Sequence, residues 1–567
     1  MGSRNQPQRP DTVGVKRLAG VSLPVVGQAS HAASSPLDRG DGRAAPPAPP
    51  GDGVERRAAR GRRAGPATSP VVSFVSLGCA KNLVDSEMML GRLAESGAVI
   101  SGDEALADTV VVNTCGFLES SRSEALEILR ELAERKRAGG LKRIVVAGCL
   151  VQRDGERIRE WVPEVDALVG VNNRDDVVRA VWRMDRDAAV SRYLGDYHAS
   201  QAGRWQDQGR LRLTPRHYAY VRISEGCNQK CTFCTIPSIR GPLHCKPPEQ
   251  IVAECRELIA DGARELILIG QDTTSYGEDI GYEGGLAGLL RTLDRECDGA
   301  EWIRLMYVYP SVMTDAMIDA IAGSQRIVKY IDIPLQHVND RVLKAMYRRV
   351  TRRQTEALLE KLRRRIPGVT IRTTFIVGFP GETEAEFDEL LGFIDGFEFE
   401  AVGAFRYSLE PDTPAGRMKG QLDAAVREER YGRLMLAQQK VALTAAKRRI
   451  GRRFEVLVDS CGAGVQPVSS GTGVQPVSSG TGVQPVSSSP VAVARHSGQA
   501  PEVDSVSLLT VGGKKGRNGS PRAGEMVEVR CVGTLDYDLV VAAAASGRSP
   551  AARARCGSPE PRPPHKS

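Results

Sequence analysis

The sequence predicts an α/β fold. Short apolar runs alternate with helical patterns through most of the chain, and this alternation is typical of parallel sheets covered by helices. Several of the apolar runs end in a cysteine, at positions that a parallel sheet brings to one edge. The chain has 567 residues, which is enough for about three domains. We therefore expect more than one α/β unit, with chemistry-bearing thiols at the strand ends.

The two ends of the chain are expected to be disordered. Residues 1–70 are rich in Arg, Ala, Pro and Gly and show no hydrophobic periodicity, and residues 546–567 are similar. These ends carry about +6 and about +4 of the overall net charge of +8, which leaves about −2 for the middle. A nearly neutral folded part argues against a polyanionic substrate held mainly through phosphates.

A first α/β domain is expected over residues 71–190. Apolar strands are predicted at residues 71–79, 109–115 and 143–149, with helices at 84–93 and 121–137 between them. Each of these strands ends in a cysteine, so Cys79, Cys115 and Cys149 should converge at one edge of the sheet. A single such cysteine would be a buried structural thiol. Three in the same topological position indicate a cluster site with three cysteine ligands.

The most informative motif is the loop Cys227-Asn-Gln-Lys-Cys231-Thr-Phe-Cys234. Its C-x3-C-x2-C spacing supplies three thiolates and no fourth, and His217 and His244 stand at no zinc-ligand spacing. Three soft ligands suit an iron–sulfur cluster that leaves one iron open to a small molecule. A structural zinc loop or a chance pattern is the alternative.

A partial parallel barrel of six βα units is predicted over residues 213–446. Its strands are expected at residues 218–223, 265–270, 302–308, 330–334, 370–377 and 401–407, and its helices include residues 248–261, 352–365 and 384–394. Ligands of such barrels bind at the carboxyl ends of the strands. We therefore expect the binding site at that end.

Five residues near those strand ends are candidates for ligand binding. They are Gln271, Asp272, Gln336, Gly378 and Glu382. The glycine lets the backbone approach a ligand closely, and the glutamate can accept hydrogen bonds from ribose or amino groups. The alternative is that the Gly-Phe-Pro-Gly segment is an ordinary turn and that the neighbouring His337 is structural.

Together these motifs resemble the radical S-adenosylmethionine (SAM) methylthiotransferases over nearly all of residues 71–545. Within that family, the segments at 76–87, 227–237, 334–340 and 372–382 resemble the branch that modifies ribosomal protein uS12. The tRNA-modifying branch usually has Gly-Cys-Gln-Met-Asn where this chain has Gly-Cys-Ala-Lys-Asn. It also tends to have Gln-Ser-Gly where this chain has Leu335-Gln-His337. The resemblance therefore favours the protein-modifying branch.

The resemblance implies the remaining parts of the fold. It implies a flavodoxin-like first domain, a radical SAM barrel and, over residues 447–545, a small antiparallel TRAM β-barrel with strands near 453–459, 525–530 and 536–541. A nine-residue repeat, Gly-Val-Gln-Pro-Val-Ser-Ser-Gly-Thr, interrupts this last domain. The repeat lacks the apolar content of a core, so we expect a disordered insertion at residues 462–490.

The resemblance also implies a reaction and its cofactors. The reaction is replacement of a hydrogen on the β-carbon of a uS12 aspartate by a methylthio group, and it uses two [4Fe-4S] clusters and two SAM molecules. The Cys227, Cys231 and Cys234 cluster would reduce SAM to methionine and a 5′-deoxyadenosyl radical, and the other cluster would hold the sulfur. Phe233 would pack near the adenine of SAM, with simple core packing as the alternative.

Partners and location follow from the same resemblance. The expected partners are uS12, free or in the small subunit, an external one-electron reductant and a sulfur carrier, with an RNA contact through the TRAM barrel as a further expectation. We expect no membrane segment, because no apolar run is long enough, and a reducing, cytoplasmic location. Two alternatives remain open: a tRNA adenosine methylthiotransferase and a non-catalytic iron–sulfur RNA-binding protein.

The chain departs from the family pattern after Arg240-Gly241. The family usually places a Ser-Arg pair a few residues later, whereas this chain has Cys245-Lys246. Arginine and lysine bind carboxylates with different geometry, so the expected arginine contact is in question at this point.

Overall fold

The structure is a computed structural model that describes residues 16–17, 69–184, 190–195, 206–462, 490–510 and 521–544. The expected disordered N-terminal extension, repeat insertion and tail lie almost entirely outside these residues, and they stay predictions. The same holds for the expected domain boundaries. Within the described ranges, no helix is long and apolar enough to cross a membrane.

The first domain contains a seven-stranded sheet. Its strands are β1 (Lys16–Arg17), β2 (Val71–Ser76), β3 (Val99–Ile100), β4 (Thr109–Thr114), β5 (Arg143–Gly148), β6 (Ala167–Val169) and β7 (Ser191–Tyr193). All neighbours pair in parallel except β1, which pairs antiparallel with β2. The order β3-β2-β4-β5-β6 is flavodoxin-like, because the chain first moves to one side of β2 and then to the other.

Helices cover both faces of this sheet. They are α1 (Ala80–Glu95), α2 (Glu119–Arg137), α3 (Cys149–Asp154), α4 (Arg157–Trp161) and α5 (Val177–Trp182). Strand β4 is buried along its whole length: Val110 and Val112 pack on one face with Leu129 of α2, and Val111 packs on the other with Leu90 of α1. A strand buried on both faces explains the unbroken run of valines.

The middle domain is built on a six-stranded, all-parallel sheet with β15 and β8 at its two ends. The strands of this domain are β8 (Tyr218–Arg222), β9 (Ser224–Glu225), β10 (His244–Cys245), β11 (Glu265–Ile269), β12 (Trp302–Leu305), β13 (Ile327–Asp332), β14 (Thr370–Val377) and β15 (Ala401–Arg406). The sheet order is β15-β14-β13-β12-β11-β8, while β9 and β10 form a separate antiparallel pair. The sequential parallel order confirms the expected partial barrel of six units.

The helices of the middle domain separate consecutive strands. They are α6 (Ile236–Arg240), α7 (Pro248–Ala260), α8 (Gly285–Glu296), α9 (Asp315–Gly323), α10 (Asp340–Ala345), α11 (Arg352–Arg365), α12 (Glu384–Phe397) and α13 (Ala424–Lys447). Thr383 closes a capping box with Glu386 at the start of α12. This cap satisfies backbone N–H groups and fixes where the chain turns after β14.

Five strands form a closed C-terminal barrel. They are β16 (Arg453–Cys461), β17 (Pro490–His496), β18 (Ser507–Thr510), β19 (Met526–Leu535) and β20 (Asp538–Ala543). Around the barrel the order is β16-β17-β18-β20-β19. Neighbours are antiparallel, as expected, except that β18 and β20 are parallel. The expected strands correspond to β16, β19 and β20, whereas β17 and β18 were not predicted.

A buried ion-pair cluster joins this barrel to the middle domain. Glu265, the first residue of β11, accepts hydrogen bonds from Arg304 and from Arg495 of β17, each over 2.7 Å. All three side chains are buried. Buried charges are stable only when they are paired, so this cluster fixes how the two domains meet.

Candidate active site

Cys79, Cys115 and Cys149 lie together at one edge of the first sheet. Cys79 precedes α1, Cys115 directly follows β4, and Cys149 begins α3 directly after β5. The segments approach closely, because a Cβ built on Gly78 would lie 2.8 Å from the Cβ of Cys115. Gly78 also has a φ of 94°, which favours glycine. The strand ends thus bring the three cysteine-bearing segments to one edge of the sheet, while a cluster bound by all three thiols stays a prediction.

The three thiols of this first set differ in exposure. Cys79 is exposed, Cys115 is half-buried and Cys149 is buried. Burial raises the pKa of Cys115, and the neighbouring Cys79 raises it further. Burial also raises the pKa of Cys149 to about 12, although the positive charge of Arg240 opposes this effect. Three thiolates at this edge would need a compensating positive charge.

Arg240 of α6 supplies one such charge from the middle domain. Its Nε and Nη2 donate to the Sγ of Cys149 over 3.3 and 3.1 Å. The same guanidinium donates to Asn82 at 2.5 Å, to Asp85 at 3.0 Å and to Glu225 at 2.8 Å. Because Arg240 is itself buried, these bonds offset the cost of its desolvation. They also hold the first cysteine set against the middle domain.

The network continues away from the cysteines. Arg222 of β8 donates to Asp207 over 2.6 and 3.0 Å. Lys246, at the position where an arginine is usual in the family, pairs with Asp207 at 2.8 Å and also with Glu254. A buried, paired cation is therefore still present at this position, but a lysine cannot make the bidentate hydrogen bonds of a guanidinium.

Cys227, Cys231 and Cys234 lie on the loop between β9 and α6, and all three are half-buried. The N–H of Gln229 donates to the Sγ of Cys227, and the N–H of Ile236 donates to the Sγ of Cys234, each over 3.4 Å. Burial raises the pKa of both of these thiols to about 12. Backbone donors aimed at sulfur stabilise thiolates when a metal binds them.

Two side chains of the barrel reach this second cysteine set. The hydroxyl of Tyr309 lies 3.9 Å from the Sγ of Cys231. Arg348 lies over the ring of Tyr309, 4.0 Å from its centroid, and its Nη1 is 3.7 Å from the same sulfur. A cation and a hydroxyl therefore face Cys231 together.

Two predicted site residues, Gln271 and Asp272, follow β11. Each makes a hydrogen bond to a residue near a different cysteine set. The Nε2 of Gln271 donates to Glu225 over 2.7 Å, and Glu225 in turn holds Arg240. Asp272 accepts a 2.9 Å hydrogen bond from Gln229 in the second cysteine loop. Both side chains thus support residues around the thiols.

Phe233, Gln336, Gly378 and Glu382, the other predicted site residues, lie near the carboxyl end of β14. Phe233 packs against a hydrophobic cluster that includes Phe379. Gln336 has a φ of 74° and pairs with β14 through its backbone. Gly378 has the same φ of 74°. A direct contact of any of these residues with a ligand stays a prediction.

The Glu382 carboxylate is already engaged within its own turn. It accepts hydrogen bonds from the N–H groups of Gly378 and Phe379 over 3.1 to 3.3 Å and from Arg430 over 2.7 Å. His337 lies 3.6 Å away through its Nε2, which has no hydrogen-bond partner in the described structure. Glu382 therefore fixes the turn that follows β14.

Lys81 and Tyr307 make a further contact between the two domains. The Nζ of Lys81, on the first turn of α1, lies 3.0 Å from the centroid of the Tyr307 ring. Burial raises the pKa of the Tyr307 hydroxyl, and the nearby Cys79 thiol raises it further. Tyr307 therefore lies beside the first cysteine set, while Tyr309 lies beside the second.

Sequence reasoning missed five of these residues: Lys81, Arg240, Tyr307, Tyr309 and Arg348. The two tyrosines follow β12 just as Gln271 and Asp272 follow β11, so the strand-end rule was a usable signal for them. Arg240 and Arg348 have no such local signal, because their contacts cross between loops and domains. Lys81 stands in the Gly-Cys-Ala-Lys-Asn segment, but its contact with Tyr307 crosses between domains.

The metal-binding atoms that the two cysteine sets offer are mainly sulfur. Every cysteine in the described ranges has a free thiol. Within those ranges, no three His, Cys, Asp or Glu side chains are grouped so that they could hold a metal ion. Thiols with cationic and N–H donors around them are nevertheless the donor types of an iron–sulfur site.

Two protein families match parts of the chain. The one described as "Radical SAM superfamily" matches residues 221–394, and the one described as "Uncharacterized protein family UPF0004" matches residues 71–170. The first match contains the second cysteine set and most of the barrel sheet. The second match contains the first cysteine set and the central strands of the flavodoxin-like sheet.

Curated relatives match most of the chain. "Ribosomal protein uS12 methylthiotransferase RimO" of Desulforamulus reducens is 41% identical over 478 residues, which cover 83% of this chain and 99% of the relative. A protein of the same name from Anaeromyxobacter sp. (strain K) is 41% identical and covers 87% of this chain and 97% of the relative. Among solved structures, the radical SAM methyltransferase TsrM of Kitasatospora setae matches with a TM-score of 0.43 and 15% identity, over 62% of this chain and 77% of that chain.

Proposed function

The chain belongs to the family of ribosomal protein uS12 methylthiotransferases, which are radical SAM enzymes. We propose that it attaches a methylthio group to the β-carbon of an aspartate in uS12. The observation that carries this proposal is the pair of cysteine triplets. They lie on facing domains, and the tyrosines at the end of β12 contact or approach both. This arrangement suits a reaction that joins two chemical steps at one substrate carbon.

We assign one of the two [4Fe-4S] clusters of the family to each triplet. Cys79, Cys115 and Cys149 would hold one cluster, and Cys227, Cys231 and Cys234 would hold the other. When bound, the clusters and SAM supply the electron, the organic radical and the sulfur that cleavage of an unactivated C–H bond and transfer of a methylthio group require. Three protein ligands leave one iron of each cluster open.

Residues of this chain prepare both sites. Arg240 places positive charge at Cys149, and Arg348 does the same at Cys231. Asp272 holds the second cysteine loop through Gln229. These contacts set the position and the electrostatic environment of the thiols, which are the means by which a protein tunes such a cluster.

The SAM pocket is proposed near the second cysteine set. Phe233 supplies an apolar surface for the adenine, and Gln336 and Gly378 supply backbone that approaches the ligand. Gln271 and Asp272 line the neighbouring strand end, and Glu382 fixes the turn. This assignment rests on their positions at the carboxyl ends of adjacent parallel strands, where barrels of this kind bind ligands.

Further partners follow from the reaction. The proposed substrate is uS12, free or in the small ribosomal subunit, and we propose a cytoplasmic location on that basis. The reaction needs an external one-electron reductant and a source of sulfur, and we propose a sulfur carrier as the partner that supplies it. Arg453 and Arg530 are exposed and paired across β16 and β19, which supports an RNA contact through the C-terminal barrel, although the exposed pair Glu455 and Glu528 limits this basic patch.

The test is mass spectrometry of uS12 after anaerobic incubation with the reconstituted enzyme, SAM, sulfide and a reductant. We expect a mass increase of one methylthio group on an aspartate. Unfractionated tRNA from a strain that lacks methylthio modification serves as the competing substrate. A methylthioadenosine in the tRNA with unmodified uS12 would establish the tRNA alternative. No product on either, with no SAM cleavage, would favour a binding protein.

A further inference from the structure

Lys81 is a buried cation that lacks a carboxylate partner within the described residues. It is 6% exposed, and its ammonium faces the ring of Tyr307 without an ion pair or a hydrogen bond. The other buried cations at this interface, Arg222, Arg240 and Lys246, each pair with two or more carboxylates. Burying a charge is costly unless it is paired, so Lys81 stands out among them.

The carboxylates whose charges act on Lys81 are committed to other cations. Cys79, Arg240, Asp332 and Glu225 are the groups whose charges act on Lys81. Asp332 accepts a 2.8 Å hydrogen bond from Arg372 and a 3.0 Å hydrogen bond from the N–H of Tyr307. Glu225 accepts hydrogen bonds from Arg222 and Arg240. Neither of these two carboxylates is therefore left over for Lys81, and the remaining negative group is the Cys79 thiol.

The position of Lys81 also favours an anion. It lies in the first turn of α1, a helix of 16 residues that has no acidic residue in that turn and no side-chain cap. The free N–H groups and the dipole at such a helix start attract negative charge. Tyr307, below the ammonium, is two residues before Tyr309, which reaches Cys231. Lys81 therefore lies beside the first cysteine set and contacts the segment whose Tyr309 reaches the second.

We propose that Lys81 binds the side-chain carboxylate of the substrate aspartate and thereby selects an acidic residue at this site. This rests on the proposed function, because the reacting β-carbon carries that carboxylate and must be reachable from both cysteine sets. A carboxylate that enters a buried site needs a cation there. Tyr307 holds the ammonium in place through a cation–π contact.

Binding of two peptides to the reconstituted holoenzyme tests this assignment. One peptide contains the uS12 segment with its target aspartate, and the other has asparagine there. By fluorescence anisotropy we expect the wild type to bind the aspartate peptide roughly tenfold to a hundredfold more tightly. Lys81→Met, which keeps the length of the side chain, should bind both peptides equally. Lys81→Gln provides a second neutral variant if the methionine variant does not retain its iron.

Two readouts separate this role from a structural one. The first is the iron content of the neutral variants, which should equal that of the wild type. The second is the ratio of the two peptide affinities. Equal weakening of both peptides would show that Lys81 only supports Tyr307, and an unchanged preference for aspartate would place the carboxylate elsewhere. Either result would overturn the assignment while uS12 is still modified. A wild type that binds the peptides but never modifies uS12 would instead contradict the proposed function, and the assignment with it.

Discussion

The hydroxyl of Tyr309 lies 3.9 Å from the Sγ of Cys231, and Tyr307, two residues earlier, lies under the ammonium of Lys81 beside the other cysteine set. One short segment after β12 therefore connects both groups of thiols. It spans the region in which the substrate carbon would meet SAM on one side and the sulfur donor on the other. The predictions below test this relationship and the contacts that support it.

Tyr309→Phe should change the redox properties of the second site without removing its iron. A metal-bound thiolate can only accept a hydrogen bond, so loss of the hydroxyl removes a donor that stabilises the reduced cluster. We expect a lower midpoint potential by electron paramagnetic resonance titration and SAM cleavage that is slower by about threefold to tenfold.

The matched control for this variant is Tyr276→Phe. The hydroxyl of Tyr276 donates to the backbone oxygen of Lys246 over 2.6 Å and touches no proposed ligand. The Tyr276→Phe variant should be less stable than the wild type, but the midpoint potential of its second cluster should be unchanged. A Tyr309→Phe enzyme with an unchanged potential would mean that the hydroxyl does not interact with the bound sulfur.

Arg240→Gln should destabilise the protein strongly. It leaves Asp85 and Glu225 with fewer cations in a buried site, so the free energy of unfolding should fall by about 3–5 kcal/mol in urea titrations. Arg256→Gln is the control, because Arg256 pairs with Glu296 at the surface and the loss there should be about 0–1 kcal/mol. Equal losses in the two variants would show that the network around Cys149 does not hold the domains together.

His337 should make stability depend on pH. Burial lowers the pKa of His337 from its usual 6.5 to about 4. The folded protein therefore resists protonation, so this stabilisation is complete above pH 6.5 and is lost as the pH falls toward 4. Between pH 7 and pH 5, the free energy of unfolding of the wild type should fall by about 2 kcal/mol more than that of His337→Gln.

The comparison between wild type and variant isolates His337 from other titrating groups. Asp538, for example, has its pKa raised by burial to about 6, so its contribution changes in the opposite direction, toward higher stability at low pH. It is present in both proteins and cancels. Identical pH dependence of the two proteins would rule out the neutral, buried state of His337.

The grouping of Cys79, Cys115 and Cys149 could be predicted from the sequence, because the carboxyl ends of neighbouring parallel strands must share an edge. The second cysteine loop could be predicted as well, since its spacing is local. Both predictions use information that is contained within a short stretch of chain or within one topological rule.

The contacts of Lys81, Arg240 and Arg348 could not be predicted in this way. Arg240 and Cys149 are 91 residues apart and belong to different domains, so no periodicity relates them. Strands β17 and β18 were also missed. β17 begins at Pro490, next to the repeat, and β18 has only four residues, so neither has a clear alternating pattern.

The central claim is that the two cysteine sets hold two separate clusters, and the iron content of a Cys79/Cys115/Cys149→Ala triple variant tests it most directly. After anaerobic reconstitution with iron and sulfide, the account predicts roughly eight irons in the wild type and roughly four in the variant, with SAM cleavage retained and uS12 modification lost. A wild type with about four irons, and a triple variant that loses none of them, would contradict the account.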